Sequence, residues 1–301
     1  MAVDRRAVVT VVACVVALLG ATGTGAVDAI AATAAGAPQR YVALGDSYAA
    51  GPLIPEQRTD PPGCGRSTHN YPALVATALG VTDFTDVTCS GARTDHMTIA
   101  QQAPLAGGGT NLAQFDALAP DTDLVTVTIG GNDLGLEEIV HTCSQLSATD
   151  PMGDACRRQA TAGGVDRYAQ RVAAVAPKVA GVLEGIRQRS PAATVLLVSY
   201  LRILPPAVGC YPLFPIARGD VPYVDGVLQQ LTTMLAGQAR NHGAVFVDAY
   251  AGSLGHDACQ LPQVKWVEGN VPTSPAYPVH PNIRGMRAVT ALTLDTLRIG
   301  G

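Results

Sequence analysis

The sequence predicts an α/β protein, a single-domain three-layer α/β/α sandwich around a doubly wound, mainly parallel sheet. Short apolar runs of strand length alternate with stretches of helical periodicity from about residue 40 onwards. The apolar runs are nearly continuous, which is typical of parallel strands covered by helices on both faces. No internal repeat, low-complexity linker or shift in composition follows residue 40, so we expect one domain.

Five runs predict the strands of the sheet. Leu124–Ile129 is rich in β-branched residues and ends at a Gly-Gly pair, whereas Phe84–Thr88 is the weakest of the five. The other three are Tyr41–Gly45, Thr194–Ser199 and Ala244–Asp248. In such sheets ligands bind beyond the carboxyl ends of the strands, so the residues that follow each run are the ones to inspect.

Three stretches predict helices between and after these strands. Arg167–Arg189 and Val224–Arg240 carry apolar residues at spacings of three and four, the period of a helix with one buried face. Asn282–Leu297 has the pattern of a closing C-terminal helix. The alternation of these helices with the strands is what favours a doubly wound sheet.

Composition and charge exclude two classes of protein. The 301 residues are 48% hydrophobic and only 15% charged, which excludes a disordered chain. The formal net charge is −4, and the chain contains only two lysines, Lys178 and Lys265. A protein that tracks nucleic-acid phosphates needs clustered basic residues, so no nucleic-acid partner is expected.

The N-terminus predicts an export signal. Arg5 and Arg6 precede an uncharged apolar run at 7–20, and small residues follow it. We interpret residues 1–34 as a secretory signal peptide with cleavage between 26 and 37, leaving residues 35–301 as the secreted, extracellular domain. The run is short for a membrane span, so no stable span is expected in the mature form. An N-terminal membrane anchor is the alternative, and the arginine pair leaves the choice between general and twin-arginine export open.

Six cysteines lie beyond this leader, and an even number in an exported protein predicts three disulfides. Fifteen connectivities are possible, of which sequential pairing keeps each loop local. No C-x-x-C spacing occurs, so a metal site is not expected. The six are Cys64, Cys89, Cys143, Cys156, Cys210 and Cys259.

Four short motifs carry the candidate chemistry. Each follows a predicted strand or precedes a predicted helix, and although each is weak alone, the four in this order are specific. They read GDSYAAG from Gly45, CSGA from Cys89, GGND from Gly130 and HPN from His280.

These motifs resemble the four sequence blocks of the SGNH hydrolases, also called the GDSL esterase/lipase family. The resemblance covers most of the chain, from about Tyr41 to the last helix, and is strongest to the secreted lipase/esterase branch of actinobacteria. It implies a flavodoxin-like SGNH hydrolase domain over residues 35–301, three disulfides, no metal and no cofactor. It also implies that a backbone group takes the place of the acid in the catalytic set.

The residue types fit ester hydrolysis. Ser47 would be the nucleophile and His280 the base that takes its proton. The resemblance implies an oxyanion hole formed by the backbone N–H groups of Ser47 and Gly91 and the side-chain amide of Asn132. An alternative base is His256, in a His-Asp pair.

The chain departs from the common family pattern before the histidine. That pattern has an aspartate three residues earlier, where this chain has Tyr277. We expect the backbone carbonyl of Tyr277 to accept the Nδ1–H of His280 and so to orient the ring. Three carboxylates elsewhere remain alternatives, namely Glu268, Asp257 and Asp248.

The substrate is expected to be an ester, with an acyl lipid favoured by the apolar loops and low charge. Candidates for the acyl pocket are Leu53 and Ile54 after the nucleophile, and Leu213 and Phe214 in the Cys210–Tyr223 loop. A carbohydrate acetyl esterase and a phospholipase A are alternatives on the same fold. A non-catalytic glycan- or lipid-binding module is a further alternative. We expect a monomer.

Overall fold

The computed structural model describes residues 38–300, so the predicted signal peptide lies outside the described part. The central sheet has five strands, all parallel, in the order β2-β1-β5-β6-β7, and β3 and β4 form a separate antiparallel pair. Counted alone, the five strands run 2-1-3-4-5, the order of flavodoxin-like sheets. The strands are β1 (Arg40–Gly45), β2 (Asp83–Asp86), β3 (Gln101–Gln102), β4 (Thr110–Asn111), β5 (Leu124–Thr128), β6 (Thr194–Val198) and β7 (Val245–Val247).

Helices cover both faces of this sheet and confirm the three-layer α/β/α prediction. The direction of strand order reverses at β1, and right-handed crossovers then send successive helices to opposite faces. Helices α2 and α9 pack together, and α6 packs on α7. The helices are α1 (Ser47–Ala50), α2 (Tyr71–Leu79), α3 (Gly131–Leu134), α4 (Leu136–Ser147), α5 (Ala155–Ala160), α6 (Arg167–Arg189), α7 (Val221–Asn241), α8 (Ala249–Gly252) and α9 (Ile283–Gly300).

The predicted elements exist with small changes at their ends. Helix α6 has the predicted bounds, and the Asp166 carboxylate caps it by accepting the N–H groups of Tyr168 and Ala169. Strand β2 ends at Asp86, two residues earlier than predicted, and the Asp86 carboxylate accepts the backbone N–H and the hydroxyl of Thr88. Backbone hydrogen bonds to β1 continue beyond it, from Val87 to Ala43 and from Cys89 to Gly45.

Helices α2, α4 and α5 were not predicted from the sequence. The Asn70 side chain caps α2 by accepting the N–H of Ala73, and Gly80 ends the helix in the left-handed conformation. Helix α4 follows the third motif directly and buries Leu136, Ile139 and Val140 on one side. This helix forms one wall of the candidate site.

The structure pairs all six cysteines sequentially, as Cys64–Cys89, Cys143–Cys156 and Cys210–Cys259. The first pair fixes the segment that carries the second motif, and the third joins two loops that follow β6 and α8. Between residues 38 and 300, no helix is both long enough and apolar enough to cross a membrane.

Candidate active site

The four motifs meet at the carboxyl edge of the sheet, where the strand order reverses between β1 and β5. The backbone N–H of Asp46 donates to the carbonyl of Thr128 at 3.0 Å, which joins the first motif to the end of β5. The N–H of Cys89 donates to the carbonyl of Gly45 at 3.0 Å and brings the second motif to the end of β1. Parallel strands therefore gather motifs that are far apart in the sequence.

Ser47 is the first residue of α1 and lies largely buried beside His280. The Asp46 carboxylate caps this short helix by accepting the N–H of Tyr48 at 2.9 Å. The Nε2 atom of His280 lies 2.7 Å from the Oγ atom of Ser47, within hydrogen-bond reach across 233 residues of chain. A hydroxyl beside an imidazole is the arrangement that nucleophilic catalysis needs.

The tautomer of His280 follows from its other contact. The Nδ1 atom lies 2.8 Å from the carbonyl oxygen of Pro278, which can only accept a hydrogen bond. Nδ1 therefore carries the proton in the neutral ring, and Nε2 is free to accept from the Ser47 hydroxyl. Burial lowers the pKa of His280 to about 4, against the weaker opposite effect of the Pro278 carbonyl, so the ring is neutral at physiological pH.

The prediction that Tyr277 supplies the orienting carbonyl is wrong by one residue. The Tyr277 carbonyl instead accepts the backbone N–H of His280 at 3.1 Å. Val279 between them has a φ of +63°, a left-handed conformation that is unusual for a β-branched residue. This turn leaves the Pro278 carbonyl against Nδ1, while the Tyr277 ring packs edge-on against the imidazole at 5.1 Å.

The three alternative carboxylates are engaged elsewhere. Glu268 is fully buried and bonds Lys265 at 3.0 Å and the Asn282 amide at 2.7 Å. Burial alone raises the pKa of Glu268, but its hydrogen bonds outweigh that effect and hold the pKa below its usual range. The Asp257 carboxylate accepts from Cys259 and Gln260, and that of Asp248 caps α8.

The alternative base, His256, lies in a different setting. Its Nδ1 atom is 2.8 Å from the carbonyl of Val264, and its ring stacks on Trp266 with 3.8 Å between ring centres. It is not among the residues that line the cavity beside Ser47. Neither ring nitrogen of His256 is bonded to a serine hydroxyl in the part of the chain that the structure describes.

The predicted oxyanion donors lie on two tied segments. One hydrogen of the Asn132 amide donates to the carbonyl of Ala92 at 2.9 Å, which leaves the second available. The hydroxyl and N–H of Thr94 donate to the buried carboxylate of Asp133 at 2.7 and 2.9 Å. These bonds lock the second motif to the third.

Gly91 is exposed and has a φ of +72°, so its backbone conformation alone accounts for glycine at this position. It does not line the cavity. Within residues 38–300, neither its N–H nor that of Ser47 has a hydrogen-bond acceptor. Both N–H groups are thus unpaired at the edge of the sheet where Asn132 also lies.

A cavity of about 310 Å³ opens beside Ser47 and His280. One wall is a stripe along α4, in which Glu137, Val140, His141 and Ser144 follow the spacing of a single helix face. Ile203 and Val279 add apolar surface to the lining, and Asn132, Tyr200 and Asn270 add polar groups. An apolar cleft with a few polar groups is typical of a site for a small organic ligand.

The four residues predicted for an acyl pocket do not line this cavity. Ile54 and Phe214 are buried in the core, where each packs against other elements. Leu53 and Leu213 point outward, with 54% and 80% of their surface exposed. Leu136 and Val140 line the cavity instead. Their i and i+4 spacing shortly after the third motif is the sequence signal that could have pointed to them.

No group of histidine, cysteine or acidic side chains suited to hold a metal ion occurs among residues 38–300. The residues that meet at the cavity are a hydroxyl, a neutral imidazole and hydrogen-bond donors. This set can attack a carbonyl carbon, transfer a proton and stabilise an oxyanion without a cofactor.

Comparison with known proteins agrees with this reading of the motifs. A sequence model of the GDSL-like lipase/acylhydrolase family matches residues 43–288. Lipase 2 of Streptomyces coelicolor is 36% identical, over 93% of this chain and 95% of its own.

Two solved structures share the fold. Phospholipase A1 of Streptomyces albidoflavus NA297 is 26% identical with a TM-score of 0.71, covering 86% of this chain and all of its own. The extracellular lipase of Streptomyces rimosus is 25% identical with a TM-score of 0.65, covering 86% of this chain and 99% of its own. The chain therefore belongs to the GDSL-like lipase/acylhydrolase family, as its four motifs predict, and is a lipase or esterase.

Proposed function

We propose that this protein hydrolyses fatty acyl esters through an acyl-enzyme, with Ser47 as nucleophile and His280 as general base and acid. The observation that carries the proposal is the 2.7 Å contact between His280 Nε2 and Ser47 Oγ at the wall of an apolar cavity. His280 takes the hydroxyl proton as Ser47 attacks the carbonyl carbon, then returns it to the leaving alcohol. Water attacks the acyl-enzyme by the same route and releases the acid.

The oxyanion of each tetrahedral intermediate is held by the N–H groups of Ser47 and Gly91 and the Asn132 amide. The unpaired state of both N–H groups and the second amide hydrogen of Asn132 support this assignment. The Pro278 carbonyl keeps His280 in the required tautomer. Burial lowers the pKa of His280, and a neutral acceptor such as the Pro278 carbonyl offsets that effect less than a carboxylate would.

We further propose that the cavity along α4 receives the acyl chain. Leu136 and Val140 of α4 and Ile203 give this cavity apolar surface beside the polar side chains of the same helix, and burying that surface against methylene groups gains about 0.8 kcal/mol for each CH₂. A phospholipase A activity is a second candidate, supported by the likeness to the phospholipase A1 of Streptomyces albidoflavus.

The protein acts outside the cell in this proposal. The three disulfides support it, since such bonds persist in oxidising compartments. A relative described as extracellular supports it as well. Residues 1–34 would be the export signal, and residues 35–301 the secreted domain.

The test is hydrolysis of p-nitrophenyl esters from acetyl to palmitoyl, with phosphatidylcholine assayed in parallel. We expect turnover with an optimum at a chain longer than acetyl. An optimum at acetyl would overturn the acyl-lipid assignment in favour of an acetyl esterase. Release of fatty acid from phosphatidylcholine would select the phospholipase candidate. A folded protein that hydrolyses none of these esters would contradict the proposal.

Replacing Val140 by Phe should shift the chain-length optimum to shorter esters. The larger ring narrows the cavity halfway along α4, so we expect kcat/KM to fall about tenfold for palmitoyl and to change little for acetyl esters. The matched control is Leu213→Phe, which adds the same ring at an exposed position away from the cavity. An equal shift in both variants would contradict the acyl assignment.

The pH dependence should report a base with a low pKa. Because only the neutral ring accepts the Ser47 proton, kcat/KM should stay level as pH falls and decline below the His280 pKa of about 4. Burial raises the pKa of Asp46 to about 7, so this neighbour of Ser47 titrates within the pH range of the measurement. The profile is therefore repeated on Asp46→Asn, which removes that titration. A decline centred near the ordinary histidine pKa of about 6.5 in both proteins would contradict the assignment.

A further inference from the structure

Tyr200 belongs to none of the four motifs, yet its hydroxyl lies between two of them. The residue follows β6 and is 1% exposed. Its hydroxyl donates to Oδ2 of Asp46 at 2.6 Å and accepts the backbone N–H of Gly131 at 2.7 Å. Asp46 caps the helix that begins with Ser47, and Gly131 begins the helix that carries Asn132.

We propose that Tyr200 is a positioning residue that sets the distance between the nucleophile and the oxyanion amide. This inference rests on the proposed function, since it assigns a task to Tyr200 only if Ser47 and Asn132 act together. The same phenol oxygen is hydrogen-bonded to the first turns of both helices. If either helix start moves relative to the other, one of these two hydrogen bonds is stretched. The tyrosine transmits position and does not touch the reacting atoms.

The surroundings of the ring leave it little freedom. A Cβ atom at Gly131 would lie 2.8 Å from the Tyr200 ring, so glycine is required for this close approach. On its other side the Tyr48 ring packs edge-on at 5.0 Å, and the Tyr48 hydroxyl donates to the carbonyl of Val279 at 2.7 Å. The two tyrosines together thus contact the segments that carry Ser47, Asn132 and His280.

The two hydrogen bonds of the Tyr200 hydroxyl are suited to hold the Ser47 and Asn132 helices at a fixed separation. Asp46 is buried, and within the described residues its carboxylate accepts hydrogen bonds from the Tyr200 hydroxyl and the backbone N–H of Tyr48. Removing the phenol oxygen would leave Oδ2 of Asp46 and the N–H of Gly131 unpaired in the interior. Such groups move to find new partners, and a shift of about 1 Å in a catalytic group can lower the rate about 100-fold.

The chain offers a matched control in Tyr71. Its hydroxyl is also fully buried and bonds the Thr128 hydroxyl at 3.0 Å, near the same sheet edge. That bond does not link two catalytic segments. Tyr71→Phe and Tyr200→Phe each remove one oxygen from a buried phenol, so a purely structural role of Tyr200 would leave kcat per active site as little changed as in Tyr71→Phe.

The experiment measures kcat and KM for a p-nitrophenyl ester, active-site concentration by phosphonate titration, and denaturant stability in both variants. We expect Tyr200→Phe to lower kcat about 10- to 100-fold per active site, with KM changed less than about threefold. The rate of phosphonylation should fall with kcat, since it needs the same oxyanion donors. Tyr71→Phe should keep both rates within about threefold while losing stability.

Gly131→Ala provides a second test, because the added methyl group displaces the Tyr200 ring without removing its hydroxyl. It should reproduce the fall in kcat if Tyr200→Phe yields too little folded protein. Wild-type kcat in folded Tyr200→Phe, or an equal loss in Tyr71→Phe, would overturn the inference. A wild-type protein that hydrolyses no ester would instead overturn the proposed function, and this inference with it.

Discussion

Replacing Ser47 by Ala should lower kcat by about 10⁴- to 10⁶-fold, the loss seen when a serine hydrolase loses its nucleophile. Without the hydroxyl no acyl-enzyme forms, and only binding and the oxyanion donors remain to promote direct attack by water. The variant should fold normally, because Ser47 is a largely buried side chain whose Oγ bonds only His280 within the described residues. The measurement is kcat on a p-nitrophenyl ester with the variant purified alongside wild type.

Ser90 provides the matched control for this substitution. It is a buried serine in the second motif, and its Oγ has no hydrogen-bond partner among residues 38–300. Ser90→Ala should therefore keep wild-type kcat. A serine-directed phosphonate should add its mass to the peptide that contains Ser47 in wild type and in Ser90→Ala, and not in Ser47→Ala. Modification of Ser90, or activity retained in Ser47→Ala, would refute the assignment.

His280→Ala should cause a loss of similar size, about 10⁴- to 10⁶-fold in kcat. Ser47 then has no base, since within the described residues its hydroxyl hydrogen-bonds only to the imidazole. Because the two residues act as one unit, the double variant should be no slower than either single variant. Added imidazole should restore part of the rate if it can enter the vacated space.

His256→Ala separates the two histidines proposed as bases. Its imidazole stacks on Trp266 and bonds a backbone carbonyl, so its loss should lower stability and leave kcat within about threefold of wild type. Loss of activity in His256→Ala with activity retained in His280→Ala would reverse the assignment. Both variants are compared by active-site titration so that misfolded protein does not count.

The sequence alone predicts that the motifs lie close together, because parallel strands all end at the same edge of the sheet. Apolar runs at Tyr41–Gly45 and Leu124–Ile129 read as parallel strands, and chemistry at their carboxyl ends follows from that reading. That rule pointed to the segments that hold Ser47 and Asn132, and the resemblance of the four motifs to the SGNH hydrolases then marked Ser47, His280 and Asn132 as the candidates. The flavodoxin-like fold was implied by the family resemblance and is confirmed by the order of the five parallel strands.

The predictions that differ from the structure depend on backbone dihedral angles and side-chain directions, which a sequence pattern does not determine. Whether Tyr277 or Pro278 faces the imidazole is decided by the left-handed turn at Val279, which nothing in its residue type signals. The acyl pocket was sought in apolar loops, whereas Leu53 and Leu213 face outward and a helix wall lines the cavity. Tyr200 was within reach of the same rule, as it follows a predicted strand, but a tyrosine there is not a recognised motif.

The group that orients His280 is a main-chain carbonyl, and this changes which mutations can remove its hydrogen bond. No codon change at position 278 deletes a carbonyl, so a mutational scan should record that site as tolerant wherever the loop keeps its path. The sensitivity moves to side chains that hold the path. The Tyr48 hydroxyl on the Val279 carbonyl and the Glu268 N–H on the His280 carbonyl at 2.9 Å are two such anchors. Mutations that abolish activity through this loop should therefore fall at the residues that anchor it and not at position 278.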